Sequence, residues 1–345
     1  MSNDNHSPIQ NAAGSQVDHH APSPQAQAVG HPSPAAAEPR DGYGWVTALD
    51  LELLHHYTIS TCFTLSTQQM SRDFWRVNLP QMGFSHPYIL RGVLSLAALH
   101  LARSRASQRD ILVEQAILHH NASASLALPL ITNMEREIAV PLSFFSMLTF
   151  YITFAMPKQP SIFIVGTDGV IPEWFLLFRG MRSILEANRY LTQDSSLSMM
   201  FHGGKLMSKI WESQHVEHDG LRELESKIHS HVYDQQKVRI LLGASDALKR
   251  SFQLFCDTGE DDENRVRCVF IWLFKIEDDF VTLLRHGDRE ALCVLAFFAV
   301  LLERLDNKWW MSGWGVHLIE RIYSVLDDGY RLWIRWAMEE IGWSN

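Results

Sequence analysis

Two histidines, His100 and His317, lie in stretches whose apolar spacing otherwise predicts burial. An imidazole titrates near neutral pH, so a histidine inside an apolar cavity is a candidate proton carrier or general base. The plainer alternative is a hydrogen-bonded residue in the core or at its rim. The sequence leaves both roles open, and we name His100 and His317 as candidate catalytic residues.

The stretch "WWMSGWGVH" places three tryptophans and two glycines directly before the second histidine. In a helix, Trp310, Trp314 and His317 share one face, with Trp309 beside them and Gly313 on the same side. Glycine lets backbone or ligand approach closely, and ligand pockets are mostly apolar, so the pattern favours a pocket wall. Packing between helices is the alternative explanation of the aromatic face.

Two further pairs of apolar residues are assigned to the same pocket. Met147 and Tyr151 belong to the apolar run at 141–157, and Phe175 and Phe178 belong to the helical pattern that follows it. The run is apolar on every face, which indicates a helix at the centre of the protein. The predicted site is therefore an apolar pocket for a hydrophobic molecule.

Motifs for cofactor, nucleotide and metal chemistry are absent from the sequence. There is no GxGxxG, no GxxxxGK[ST], no G-x-S-x-G and no HExxH. The acidic clusters at 259–264 and 277–279 fit helix starts better than a divalent-cation site. The four cysteines are far apart and form no CxxC pair, which disfavours a structural zinc site and a disulfide framework. We expect no metal and no cofactor.

The charge balance disfavours direct binding of DNA. The net charge is −9, and the nearest approach to a basic patch, "RSRASQR" at 103–109, is typical of a solvated helix end. The first forty residues lack the apolar segment of a signal peptide. The apolar run at 141–157 is shorter than the roughly 20 residues that span a bilayer. We expect a cytoplasmic or nuclear protein with no membrane span.

The helical patterns predict an all-α fold that follows a different N-terminal segment. Residues 1–42 are rich in Pro, Ala and Gln and are predicted to be disordered, whereas 43–345 form a single large multi-helix domain. Ser85 is the expected N-cap of one long helix and Asp110 that of the next. The polar stretch 192–232 predicts a long surface loop, and 161–166 is the one short strand candidate.

Several long stretches carry a family resemblance. "LELLHHYTISTCFTLS", "FWRVNLPQMGFSHPYILRGVLSLAALHLA" and "YRLWIRWAMEEIGW" resemble the C-terminal effector domain of fungal zinc-cluster transcription factors, in particular the sterol uptake control regulators. The resemblance covers roughly residues 48–343. It implies an all-helical domain that self-associates and binds a sterol in an apolar pocket. It also implies that "WWMSGWG" is a functionally sensitive segment, with Trp309, Trp310, Gly313 and Trp314 near the ligand.

One departure from the family shapes the functional expectation. Family members carry an N-terminal cluster of six closely spaced cysteines, whereas this sequence has no cysteine before Cys62. Without that cluster we expect no sequence-specific DNA contact of its own. The protein would then act as a homodimer or by pairing with a complete zinc-cluster factor.

Two function classes remain open at this point. A third alternative is a degenerate domain that binds no ligand. The first is a binding module for a sterol- or terpenoid-like molecule. The alternative is a cofactor-free enzyme of fungal secondary metabolism, a cyclase or hetero-Diels–Alderase that joins terpenoid and polyketide partners. Such a reaction needs chiefly two apolar partners held in a reactive orientation, which is worth up to about 7–11 kcal/mol.

Overall fold

The computed structural model describes residues 45–66, 68–132, 136–158, 175, 178–180, 198–214, 217–259 and 261–344. The tail predicted at 1–42 and the strand candidate at 161–166 lie outside these residues.

The described residues form helices joined by short connections, and they contain no strand. This confirms the predicted all-α fold. The helices are α1 Ala48–Ile59, α2 Gln69–Asp73, α3 Leu79–Ser85, α4 Pro87–Ser104, α5 Arg109–Thr132, α6 Ala139–Ala155, α7 Ser198–Ser213, α8 Asp219–His231, α9 Gln235–Asp257, α10 Asp262–Lys275, α11 Asp278–Arg285, α12 Arg289–Glu303, α13 Trp314–Val325, α14 Asp328–Arg331 and α15 Arg335–Ile341. A π-helical turn, Phe74–Asn78, joins α2 to α3.

Helices α4, α5 and α6 pack closely because small residues let their backbones approach. Ser95 of α4 donates its hydroxyl hydrogen to the carbonyl of Ala116 in α5 at 2.8 Å. Gly92 leaves room for α6, since a Cβ at that position would lie 3.0 Å from Cδ1 of Leu148. The long helix predicted from the spacing of apolar residues in α4 is confirmed. Its N-cap is His86 rather than Ser85, because Ser85 is the last residue of α3.

The apolar run predicted as a central helix is α6, and most of its side chains are buried. Among the described residues, no helix combines the length and the apolar character that crossing a bilayer requires.

Aspartate side chains cap several helices of the C-terminal half. The carboxylate of Asp234 accepts from the backbone N–H groups of α9, that of Asp261 from those of α10, and that of Asp288 from α12. Such caps satisfy N–H groups that have no partner within the helix. The acidic cluster at 259–264 is therefore a helix start, as the sequence favoured. The expected cap Asp110 instead lies in the first turn of α5, which begins one residue earlier.

The long surface loop predicted at 192–232 is wrong, because α7 and α8 occupy most of that stretch. Their polar residues lie on outer faces, while Leu221, Leu224 and Ile228 recur at three- and four-residue steps and are buried. Trp211 anchors α7 through its indole N–H, which donates to the hydroxyl of Ser251 at 3.1 Å. The polar composition concealed a regular apolar stripe.

Candidate functional site

The tryptophan-bearing segment is a turn that precedes a helix, so the helical face predicted for Trp310 is wrong. Gly313 has a φ of 73° and forms the N-cap of α13, which starts at Trp314. Its N–H donates to the carboxylate of Asp306 at 2.5 Å. Trp314 and His317 do share a face of α13, with ring centroids 5.4 Å apart. A left-handed conformation explains why glycine occupies position 313.

The indoles of Trp310 and Trp314 are core side chains, each 2% exposed. Trp310 meets the ring of Tyr151 edge-on at 4.8 Å. The indole N–H of Trp314 donates to the carbonyl of Phe154 at 2.7 Å, and the two rings lie 5.0 Å apart. Edge-to-face pairs at these distances stabilise a packed interior. These two rings therefore fill space between the helices.

Of the other predicted pocket residues, Phe178 joins the same packed aromatic cluster. Phe178 stacks on Phe274 at 4.0 Å and on Phe150 at 5.1 Å. Phe175 is fully buried, and Met147 is partly buried against the core. The structure thus brings Tyr151, Phe178 and Trp310 into contact with one ring, that of Phe150.

His100 lies beside Trp309 within a small polar network. Its Nδ1 lies 3.1 Å from Nε2 of His56 and 3.0 Å from the hydroxyl of Thr61. Its ring centroid is 4.8 Å from that of Trp309, whose indole N–H donates to the hydroxyl of Thr64 at 2.8 Å. Burial, with a smaller contribution from His56, lowers the pKa of His100 to about 4. The imidazole is therefore neutral at physiological pH.

A cleft of about 240 Å³ opens on the outer side of Trp309. It forms where the C-terminal ends of α4 and α6 meet the N-terminal end of α5 and the turn before α13. Its uncharged lining comes from these elements: Leu99, Ala102, Val113, Phe154, Ala155, Met156, Pro157, Trp309 and Ser312. Of the ten site residues predicted from the sequence, Trp309 alone lines this cleft.

Three cations complete the lining of the cleft: Arg103, Arg109 and Lys158. The guanidinium of Arg103 donates to the carbonyl of Trp309 at 3.3 Å. Burial lowers the pKa of Lys158, and nearby Asp306 opposes that shift. The two arginines are the ends of "RSRASQR", which the sequence assigned to a solvated helix end. Their convergence with Lys158 depends on how three helices meet, and no local signal indicates it.

Gly313 lies at the edge of this region, behind Lys158. A Cβ at Gly313 would lie 2.9 Å from Nζ of Lys158. The neighbouring Gly315 allows Glu303 to rest against the start of α13, since a Cβ at Gly315 would lie 2.5 Å from Oε2 of Glu303. Burial raises the pKa of Glu303. The glycines thus shape the turn that carries Trp309.

No group of three or more potential metal ligands occurs in the part of the chain that the structure describes. The described residues form a small cleft lined by apolar side chains and by three cations, an arrangement that can accept a small organic molecule.

Comparison with known proteins points to one family. Residues 52–229 match the fungal specific transcription factor domain family. The chain is 24% identical over 313 residues to a Zn(2)-C6 fungal-type transcription factor of Gibberella zeae, covering 83% of this chain and 60% of that protein. It is 30% identical over 147 residues to the Zn(2)-C6 fungal-type transcription factor afumD of Aspergillus fumigatus, covering 40% of this chain and 37% of that protein.

A shorter match joins the chain to Sterol uptake control protein 2 of Candida albicans. The two are 29% identical over 77 residues, which is 22% of this chain and 10% of that protein. The chain spans about 60% of the length of the Gibberella zeae relative and less of the other two.

Proposed function

The chain belongs to the fungal specific transcription factor domain family, and from that premise we propose that it is a regulator's effector module that binds a hydrophobic small molecule. The binding site in this proposal is the cleft beside Trp309. A transcriptional regulator acts in the nucleus, whereas the cytoplasmic location stays a prediction. Self-association and pairing with a zinc-cluster factor also stay predictions.

The observation that carries this proposal is the convergence of several apolar side chains on one cleft. Leu99, Val113, Phe154 and Met156 come from three different helices and face one opening together with the indole of Trp309. Each methylene that a ligand buries there contributes about 0.8 kcal/mol. Convergent apolar side chains with a few polar groups are typical of small-molecule sites.

The size of the cleft limits what it encloses. Its volume of about 240 Å³ lies just below the roughly 300–1,000 Å³ of pockets for drug-sized ligands. A small terpenoid would fill it, whereas a sterol would insert one end and leave the rest at the surface. The name of the Candida albicans relative refers to sterol uptake, which supports testing a sterol first.

The packed aromatic cluster is a poorer binding site than the cleft. Trp310 and Trp314 are 2% exposed and in contact with neighbouring rings, so a ligand would have to displace side chains that already fill the interior. Repacking a dense core costs typically 1–3 kcal/mol for even a few added methylenes. The cleft needs no such rearrangement.

The proposed binding is tested by fluorescence titration of the full chain with dehydroergosterol. Val113→Phe places a larger ring in the cleft and is expected to weaken binding at least about tenfold, since two lost methylene contacts already cost about 1.6 kcal/mol. Ile117→Phe is the matched control, because Ile117 lies one turn further along α5, is 40% exposed and does not line the cleft. Equal weakening by both variants would contradict the proposed site.

The regulatory half of the proposal needs a separate measurement. The full chain fused to an unrelated DNA-binding domain should drive a reporter whose output changes when sterol is added. Val113→Phe should abolish that change, and Ile117→Phe should retain it. A reporter that responds to sterol equally in both variants would contradict regulation through the cleft.

The cofactor-free cyclase stays a prediction from the sequence. In the described residues neither His100 nor His317 contributes to the lining of the cleft, so no specific contact favours catalysis there.

A further inference from the structure

On the premise of the proposed function, we propose that the ligand is an amphiphilic carboxylic acid whose carboxylate is held by Lys158, Arg103 and Arg109 at the mouth of the cleft. The tail lies against the apolar lining beside Trp309. This proposal assigns the ligand to a chemical class, the amphiphilic acids, to which a neutral sterol does not belong.

The charge of the cleft differs from that of the chain as a whole. The sequence has 30 basic and 39 acidic residues and a net charge of −9. The described lining of the cleft nevertheless contains three cations and no carboxylate. Three positive charges around one small opening favour an anion.

Lys158 is exposed at the mouth of the cleft, whereas the partly buried lysines of the fold are paired with carboxylates of the chain. Lys237 contacts Asp288 at 2.5 Å and Glu290 at 2.8 Å, Lys249 contacts Glu225 at 3.1 Å, and Lys308 contacts Asp262 at 2.5 Å. Within the described residues no carboxylate pairs with Lys158 in this way. A ligand carboxylate would supply Lys158 with the counter-ion that these partly buried lysines obtain from the chain.

Two acidic residues lie close enough to Lys158 to affect its pKa, Asp306 and Glu303. Asp306 accepts the N–H of Gly313 at 2.5 Å, and Glu303 rests against Gly315. Both carboxylates favour the charged form of Lys158 from a distance, and neither lines the cleft. Neither forms an ion pair with the ammonium among the described residues, so its side that faces the opening stays available to a ligand.

The arginines retain donors for a ligand. A guanidinium carries five N–H groups in a planar fork that matches a carboxylate. Arg103 uses one of its nitrogens on the carbonyl of Trp309, which fixes it at the rim. Arg109 is the first residue of α5 and is exposed, and the described residues give it no hydrogen bond or ion pair. Both are placed to bind a carboxylate.

The test compares two probes that share a tail, decanoate and decan-1-ol, by calorimetric titration of the full chain. Decanoate is expected to bind at least about tenfold more tightly, as charge-assisted hydrogen bonds imply. The preference should shrink with added salt, because the rim is exposed. Lys158→Met should remove most of the preference, and Lys158→Arg should retain it. Lys209→Met, on the exposed face of α7, is the matched control and should change nothing.

The outcomes separate this inference from the proposed function. Equal affinity for decanoate and decan-1-ol, with dehydroergosterol still bound, would refute the carboxylate while the apolar cleft stands. An acid preference that survives both Lys158→Met and Arg109→Gln would also refute it. Failure of all three probes to bind would refute the proposed function itself. Circular dichroism melting of each variant confirms that the chain is folded.

Discussion

Replacement of Gly313 by alanine tests whether the turn before α13 is conformationally constrained. Gly313 has a φ of 73°, where an L-residue costs about 1–2 kcal/mol. The added Cβ would also lie 2.9 Å from Nζ of Lys158, but that is the end of a flexible chain and can move. We therefore expect the free energy of unfolding to fall by about 1–2 kcal/mol, which is a drop of roughly 2–3 °C in Tm.

Two other glycines provide controls, one whose replacement should raise the free energy of unfolding and one whose replacement should lower it. Gly243 lies on the exposed side of α9 with no atom within 4 Å of its added Cβ, so Gly243→Ala should stabilise by about 0.5–1 kcal/mol. Gly315→Ala would place a Cβ 2.8 Å from the carbonyl of Ala299, which cannot move freely, and should cost about 3 kcal/mol or more.

The assay is urea unfolding followed by circular dichroism. The slope of the free energy of unfolding against urea concentration should be the same in all variants, which shows that each unfolds in the same transition. We expect Gly243→Ala to be the most stable protein, followed by wild type, then Gly313→Ala, with Gly315→Ala the least stable. A Gly313→Ala protein as stable as wild type would refute the constrained turn.

The remaining predictions concern the core and the pH dependence. Trp310→Ala should reduce the free energy of unfolding by about 3–5 kcal/mol, because its indole is 2% exposed, and a loss below 1 kcal/mol in urea unfolding would contradict its place in the core. Because burial lowers the pKa of His100 from 6.5 to about 4, the unfolded chain takes up a proton first as the pH falls. Stability should therefore decrease between pH 6.5 and about 4, and His100→Asn should flatten that slope in unfolding measured across the range.

The spacing of apolar residues predicted the helices in which apolar residues are numerous. It correctly predicted α4 from its three- and four-residue steps and α6 from its uniformly apolar run. It failed at α7 and α8, where few apolar residues lie among many polar ones. A stripe of Leu221, Leu224 and Ile228 suffices to bury a helix when the rest of its surface faces water.

The site was only partly predictable, because the cleft is a tertiary feature. The sequence identified the segment of Trp309 and Gly313, and both lie at the cleft or its edge. It could not tell Trp309 from Trp310, since adjacent residues in a turn point to different sides. Arg103, Arg109 and Lys158 come from three separate elements that meet only in the folded chain.

Photo-crosslinking of the full chain with a diazirine-bearing sterol tests the central claim most directly. Peptide mapping by mass spectrometry should find the label at 154–158 and 309–312, the two cleft segments from the end of α6 and the turn before α13. Unlabelled ligand should compete for that label. Competable labelling confined to other segments, or labelling that competitor does not reduce, would contradict a binding site beside Trp309.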